Sequence, residues 1–124
     1  MENKKDIIES ENLDKKNLNN LINPILFKED EINLTQDCFI SSKESIYEGV
    51  YEFSIDILES SMPSSSGWDI SLLIYNNNES VGYVMKNKGS ISIKILNDFY
   101  YSFFNATYGD IKFKFTIKKF NNIL

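Results

Sequence analysis

The stretch GDIKFKFTIKKF, residues 109–120, alternates apolar and polar side chains without a miss: Ile111, Phe113, Phe115 and Ile117 against Asp110, Lys112, Lys114, Thr116 and Lys118. Successive side chains of an extended chain point to opposite faces, so this period of two predicts a β-strand with one face in a core and the other in water. Only four residues follow it, which points to a strand at a sheet edge, where unpaired N–H and C=O groups form a template for another chain. Lys112, Lys114 and Lys118 then read either as edge protection or as partners for acidic residues.

The same alternation recurs upstream. Tyr51, Phe53, Ile55 and Ile57 share one face, as do Trp68, Ile70, Leu72 and Ile74. Val81, Tyr83 and Met85 form a third set, Ile91, Ile93 and Ile95 a fourth, and Phe99, Tyr101 and Phe103 a fifth. Residues 25–27 and 32–40 suggest one or two further strands. Turn signals separate these runs: a Ser-rich loop at 60–67, the triplet Asn76–Asn78, and Asn87-Lys88-Gly89, where Gly89 is free to take a positive φ. About seven or eight short strands, with no convincing helix between them, predict an all-β antiparallel fold: a jelly roll, β-sandwich or small barrel.

The first 23 residues read differently. Leu18, Leu21, Ile22 and Ile25 have helical spacing, with Asp14 as a candidate cap and Pro24 as a stop. The stripe is short and NNLINP is poor helix material, which favours an extended arm. The expected organisation is an N-terminal arm or connector over 1–23 and a jelly-roll domain over 24–124.

Composition narrows the function. At 124 residues the chain is one domain, and its 42% hydrophobic and 14% aromatic content supports one core. No apolar run approaches the roughly 18 residues of a membrane span, and nothing after Met1 resembles a secretory signal, so synthesis in the cytoplasm without a signal peptide is the expectation. There is no histidine and no arginine. With a net charge of −5 and no guanidinium forks for phosphates or guanine edges, nucleic-acid binding is not expected. Without histidine, nucleophilic triads in their usual form are out, and Cys38 lacks the usual base and reads as a small buried hydrophobe. Glu29, Asp30 and Glu31 read as a solvated turn rather than as paired catalytic carboxylates or, with Asp37, a calcium site. Neither enzyme activity nor a cofactor nor a metal is expected.

Charge is split along the chain. Residues 1–62 carry 14 acidic and 6 basic side chains, net −8; residues 63–124 carry 4 and 7, net +3. Such a division fits either solvated loops or complementary ends that attract head to tail. Trp68 shares its face with Ile70 and Leu72, which argues for the core. Tyr75, Tyr100 and Phe104 fall opposite the main apolar set and predict some exposed aromatic surface. With Trp68 and Tyr101, Tyr75 and Tyr100 are candidates for a sugar platform; exposed aromatics equally suit a protein interface.

The runs IYEGVYEFSID, ISLLIYNNNESVGYVMKNKGSISIKILNDFYYSFF and YGDIKFKFTIKKF resemble, over residues 45–120, the jelly-roll subunits of endospore appendage fibres, the Ena family. The resemblance implies a structural, self-assembling protein without enzyme activity. It implies head-to-tail polymerisation by β-strand augmentation, with an N-terminal connector reaching preceding subunits and a place on the spore surface or in an extracellular fibre after mother-cell lysis. The chain departs from that family in its cysteines: the first 37 residues have none, so covalent cross-linking through the connector does not carry over. Through GVYEF it also resembles the closed trimeric jelly rolls of the tumour-necrosis-factor type. The assembly interface expected is Leu21, Ile22, Ile25, Leu26 and Phe27 with Lys112, Lys114 and Lys118, and the partner is another copy of the chain. A carbohydrate-binding β-sandwich module, with a glycan as partner, is the alternative.

Overall fold

The computed structural model describes residues 8–11, 21–61, 69–106 and 109–122, with side chains described over 24–61, 70–106 and 109–120. Nine strands lie among the described residues: β1 (Ile8–Glu11), β2 (Leu21–Leu34), β3 (Phe39–Ser41), β4 (Gly49–Ser60), β5 (Asp69–Tyr75), β6 (Ser80–Lys86), β7 (Ser90–Ile95), β8 (Tyr100–Asn105) and β9 (Ile111–Asn122). They form two antiparallel sheets, β1-β7-β4-β9-β2 and β3-β8-β5-β6. From β2 onward every connection crosses to the other sheet, except the β5–β6 hairpin. The fold is the expected antiparallel jelly-roll sandwich. Among the described residues no helix is long and apolar enough to cross a membrane.

The alternating runs supply the core. Tyr51, Phe53, Ile55 and Ile57 of β4 and Ile111, Phe113, Phe115 and Ile117 of β9 face Ile70, Leu72 and Ile74 of β5 and Phe99, Tyr101 and Phe103 from the β8 side; all are buried. Phe103 sits at the centre, its ring 4.9 Å from that of Phe115 and 5.8 Å from that of Phe113, so one side chain joins the two sheets. Edge-to-face and offset contacts of this kind add to the area term of burial.

Several expectations are corrected. The closing strand β9 is not an edge. It pairs with β4 on one side and with β2 on the other over nearly its whole length, because β2 returns the N-terminal segment alongside it. Glu29, Asp30 and Glu31 are not a turn: they lie within β2, opposite Thr116, Phe115 and Lys114. The expected boundary at residue 23 falls inside β2, which begins at Leu21; residues 21–25 are extended, the alternative favoured over the helix. Pro24 is accommodated because β2 is an edge strand and its missing N–H falls in a register shift between Ile22 and Ile25. Within the expected arm, Ile8–Glu11 forms β1 and pairs with β7.

Cys38 is exposed, not buried. It closes the Thr35–Cys38 turn between β2 and β3, with Asp37 at φ 66° and the Thr35 hydroxyl 2.8 Å from its sulfur. In the β6–β7 turn the positive φ belongs to Lys88, at 59°, and not to Gly89. Gly89 is required for a different reason: a Cβ there would stand 2.8 Å from the Lys86 carbonyl oxygen, the atom that accepts the Gly89 N–H.

Candidate functional site

Two outer faces and four edge strands, β1, β2, β3 and β6, distinguish this sandwich. The outer face of the five-stranded sheet is a charge lattice. Lys112, Lys114 and Lys118 on β9 stand opposite Glu59, Asp56 and Glu52 of β4. On the other flank Lys112 and Lys114 stand opposite Asn33 and Glu31 of β2. Lys114 Nζ lies 3.2 Å from Glu29 Oε2. A central row of lysines thus runs between two rows carrying carboxylates, an arrangement that favours cross-strand attraction. These lysines therefore do not defend an edge; the acidic partners foreseen for them belong to their own chain.

The outer face of the four-stranded sheet is the opposite in character. Phe39, Ser41, Ser71, Leu73, Tyr75, Ser102 and Phe104 line a groove of about 430 Å³, and none of them carries charge. Register places Phe39 against Phe104, and Ser102 between Ser41 and Leu73. Tyr75 and Tyr100 stack with centroids 5.6 Å apart. The aromatic surface expected from Tyr75, Tyr100 and Phe104 is thus assembled on one face. Tyr101 does not join it; it is buried on the core side of β8. Trp68 lies outside the described residues.

Among the described residues, no strand covers the far side of β1, β2, β3 or β6. β7 is covered by β1, and β4 beyond the end of β7 is closed by the turn: Ile55 N–H donates to the Gly89 carbonyl and Ile57 N–H to Asn87 Oδ1, each at 3.0 Å. β2 and β3 lie on one lateral side of the sandwich, where Phe27, Lys28 and Asp30 share a cleft with Ile40 and Ser41. The tight turn at residues 87–89 places β6, the end of its sheet, beside β7, which only β1 flanks at the far end of the other. The open β2 and β6 edges thus face opposite ways.

The first half of β2 carries three successive exposed apolar side chains: Ile25, Leu26 and Phe27 are 57%, 54% and 46% exposed. A second register shift, between Leu26 and Lys28, breaks the alternation there and turns apolar groups outward. Phe27 also touches the Tyr51 ring edge-on at 5.7 Å. Leu21 and Ile22 pair by backbone with Asn122 and Asn121, and their side chains lie outside the described residues. The expected interface is therefore divided. Ile25, Leu26 and Phe27 share one open edge, whereas the β9 lysines sit on an interior strand.

Burial pushes the Tyr51 hydroxyl up to about 12, with the Asp98 carboxylate adding to the shift; it donates to the Tyr47 carbonyl at 2.8 Å. Lys119 Nζ stands 5.6 Å from the centre of the Tyr51 ring. Burial, with Asp30 as the second cause, also raises Tyr101. Both are phenols held neutral rather than activated. Among the described residues no three of His, Cys, Asp and Glu gather to hold a metal ion. The chain matches no protein-family model and no curated protein.

Asn105 is a structural residue that sequence reading passed over. Its buried side-chain amide donates to the Leu34 carbonyl at 3.0 Å and the Gly109 carbonyl at 2.9 Å, while its backbone exchanges bonds with Asp37 and Cys38. It ties the end of β2, the β2–β3 turn and the start of β9 to the end of β8. A lone Asn after a strand reads as a turn residue, and only the closeness of carbonyls far apart in sequence reveals its role.

Proposed function

We propose that this chain is a structural, self-assembling subunit that polymerises head to tail by β-strand augmentation, as a building block of a protein fibre or spore-surface appendage. The observation that carries the reading is the open β2 edge, with Ile25, Leu26 and Phe27 exposed in succession. Strand addition satisfies a row of backbone N–H and C=O groups at once, and apolar side chains along the row supply affinity. The second open edge, β6, faces the other way. A contact between two different patches on opposite sides does not close on itself and extends into a filament. Asp30 on β2 and Lys88 in the turn after β6 supply opposite charge for that meeting.

The N-terminal segment acts as the connector. β1 pairs with β7 within the chain, and the same pairing made on the β7 of a preceding copy links subunits further. In this reading the chain has no catalytic role and no cofactor, its partner is itself, and it reaches the spore surface or an extracellular fibre on lysis of the mother cell.

Negative-stain microscopy and sedimentation of the full-length protein test the proposal. Filaments are expected, and Leu26→Lys, an exposed substitution that leaves the core intact, should shorten or abolish them. Deletion of residues 1–20, which leaves β2 whole, should remove long assemblies. A protein that stays unpolymerised across a range of salt and concentration would sink the proposal.

A further inference from the structure

On one stretch of β2, charge stands where alternation would place apolar groups. Lys28 and Asp30 lie opposite Ile117 and Phe115 of β9, both buried. Residues opposite each other in a ladder share a face, so these two charges stand on the side of the sheet that looks toward the core. The register shift between Leu26 and Lys28 brings them there. Both open onto the cleft of about 570 Å³ between β2 and β3. Phe27, Ile40, Ile46, Tyr101 and Phe115 make its walls and floor, and Lys43 and Glu44 of the β3–β4 connection line its other side. Among the described residues none of these four charged side chains is in an ion pair.

We propose that this cleft binds a small zwitterion with an apolar body, the chemistry of an apolar α-amino acid. Its lining holds two lysines and two carboxylates, balanced within a chain of net −5. A plain anion meets Asp30 and Glu44 there, and a plain cation meets Lys28 and Lys43. A ligand that carries both signs satisfies both. Lys28 and Asp30 stand two positions apart on one face, about 6.6 Å along the strand, and the long lysine stem lets one head group reach both. The ligand's ammonium donates to the Asp30 carboxylate, and Lys28 Nζ donates to the ligand's carboxylate. Charge-assisted bonds of this kind are about twice as strong as neutral ones. The apolar body turns to the aromatic floor. Burial raises the Tyr101 hydroxyl, with the Asp30 carboxylate as the second cause, so the field of Asp30 reaches that floor. The volume lies in the range of small-molecule sites, whose usual lining is apolar with a few convergent polar groups.

The rival reading is that inward charges on an edge strand keep other strands from pairing with it. That role accounts for Lys28 and Asp30. It does not account for a second pair of opposite charges, Lys43 and Glu44, across a cleft with an aromatic floor.

Nuclear magnetic resonance titration of the full chain tests the site, in the Leu26→Lys background so that edge association does not intervene. L-phenylalanine and L-leucine are the probes. Saturable shifts are expected at residues 27–31 and 40–46 and at Tyr101. 3-Phenylpropionate, which lacks the ammonium, and phenethylamine, which lacks the carboxylate, should each bind at least about tenfold more weakly than L-phenylalanine. Lys28→Gln and Asp30→Asn should each weaken L-phenylalanine by about tenfold. Both positions are exposed, so the rest of the spectrum should stay unchanged and report an intact fold. No saturable shift with either amino acid up to about 10 mM overturns the proposal. So does equal binding of the single-charge analogues, or binding indifferent to both substitutions. If the substitutions instead make a monomeric chain associate, with no response to amino acids, the charges guard the edge and the proposal falls. None of these outcomes bears on filaments formed through β2.

Discussion

Lys114 of β9 and Glu29 of β2 meet at 3.2 Å between Nζ and Oε2, on strands that run side by side although 85 residues separate the two positions. This pair is one link in a lattice that places Asp56 on the other side of the same lysine. Reversing the charge, Lys114→Glu, sets a carboxylate opposite both Asp56 and Glu31. The expected loss is about 1–2 kcal/mol of stability, from two unfavourable cross-strand neighbours. High salt should restore part of it, since the groups are partly exposed and screened. Urea unfolding at two ionic strengths measures this. An edge-protecting lysine would show no stability loss.

Removing the Asn105 amide leaves the Leu34 and Gly109 carbonyls without that donor in a buried setting. Asn105→Ala should cost about 2–4 kcal/mol. Hydrogen exchange should locate the loosening at the β2–β3 turn and the ends of β8 and β9, with the β4–β7 ladder unaffected until global unfolding.

Phe103 touches rings of the opposite sheet, so Phe103→Ala opens a cavity shared by both layers. The expected cost is about 3–5 kcal/mol, a large part of the stability of a domain this size. Thermal denaturation should show a fall well beyond that for Phe104→Ala, one residue away on the outer face, where no core contact is lost.

The β6–β7 turn separates two glycine arguments. Gly89→Ala drives a methyl to 2.8 Å from a backbone oxygen and should destabilise by about 1–2 kcal/mol. Lys88→Gly relieves a left-handed side-chain-bearing residue and should stabilise, or at worst be neutral, because the cost of that conformation is about 1 kcal/mol. If the two substitutions shift the melting temperature in the same direction, this account of the turn is wrong.

Tyr51 sets an alkaline limit. Its folded-state pKa of about 12 exceeds the unfolded value of about 10. The neutral phenol's contribution is therefore complete below about pH 10 and is lost as pH rises toward 12, because the unfolded chain releases the proton first. Absorbance at 295 nm should show a late-titrating tyrosine, and thermal stability should decline over the same window. Tyr51→Phe lowers stability at neutral pH by removing the bond to Tyr47, and it should flatten this alkaline decline.

Period-two alternation was enough to place the core. Residues 51–57, 70–74, 91–95, 99–103 and 111–117 bury the faces that their spacing indicates, because a half-buried strand has one arrangement that keeps its lysines wet and its phenylalanines dry. Turn chemistry at Asn76–Asn78 was equally legible: the Asn76 side chain accepts from the N–H groups of Asn78 and Glu79, a local bond needing nothing remote. Pairing partners were not legible. The same pattern in β9 suits an edge or a centre, and only β2, folding back across about eighty residues, makes it a centre. The identity of the edges, the carboxylate rows flanking the β9 lysines, the exposure of Ile25–Phe27 at two register shifts, and the joining of Phe39, Tyr75, Tyr100 and Phe104 on one face all follow from which strands lie side by side. Alternation says which way a side chain points but not what stands beside it; neighbourhood in a sheet is settled by closure of the whole core.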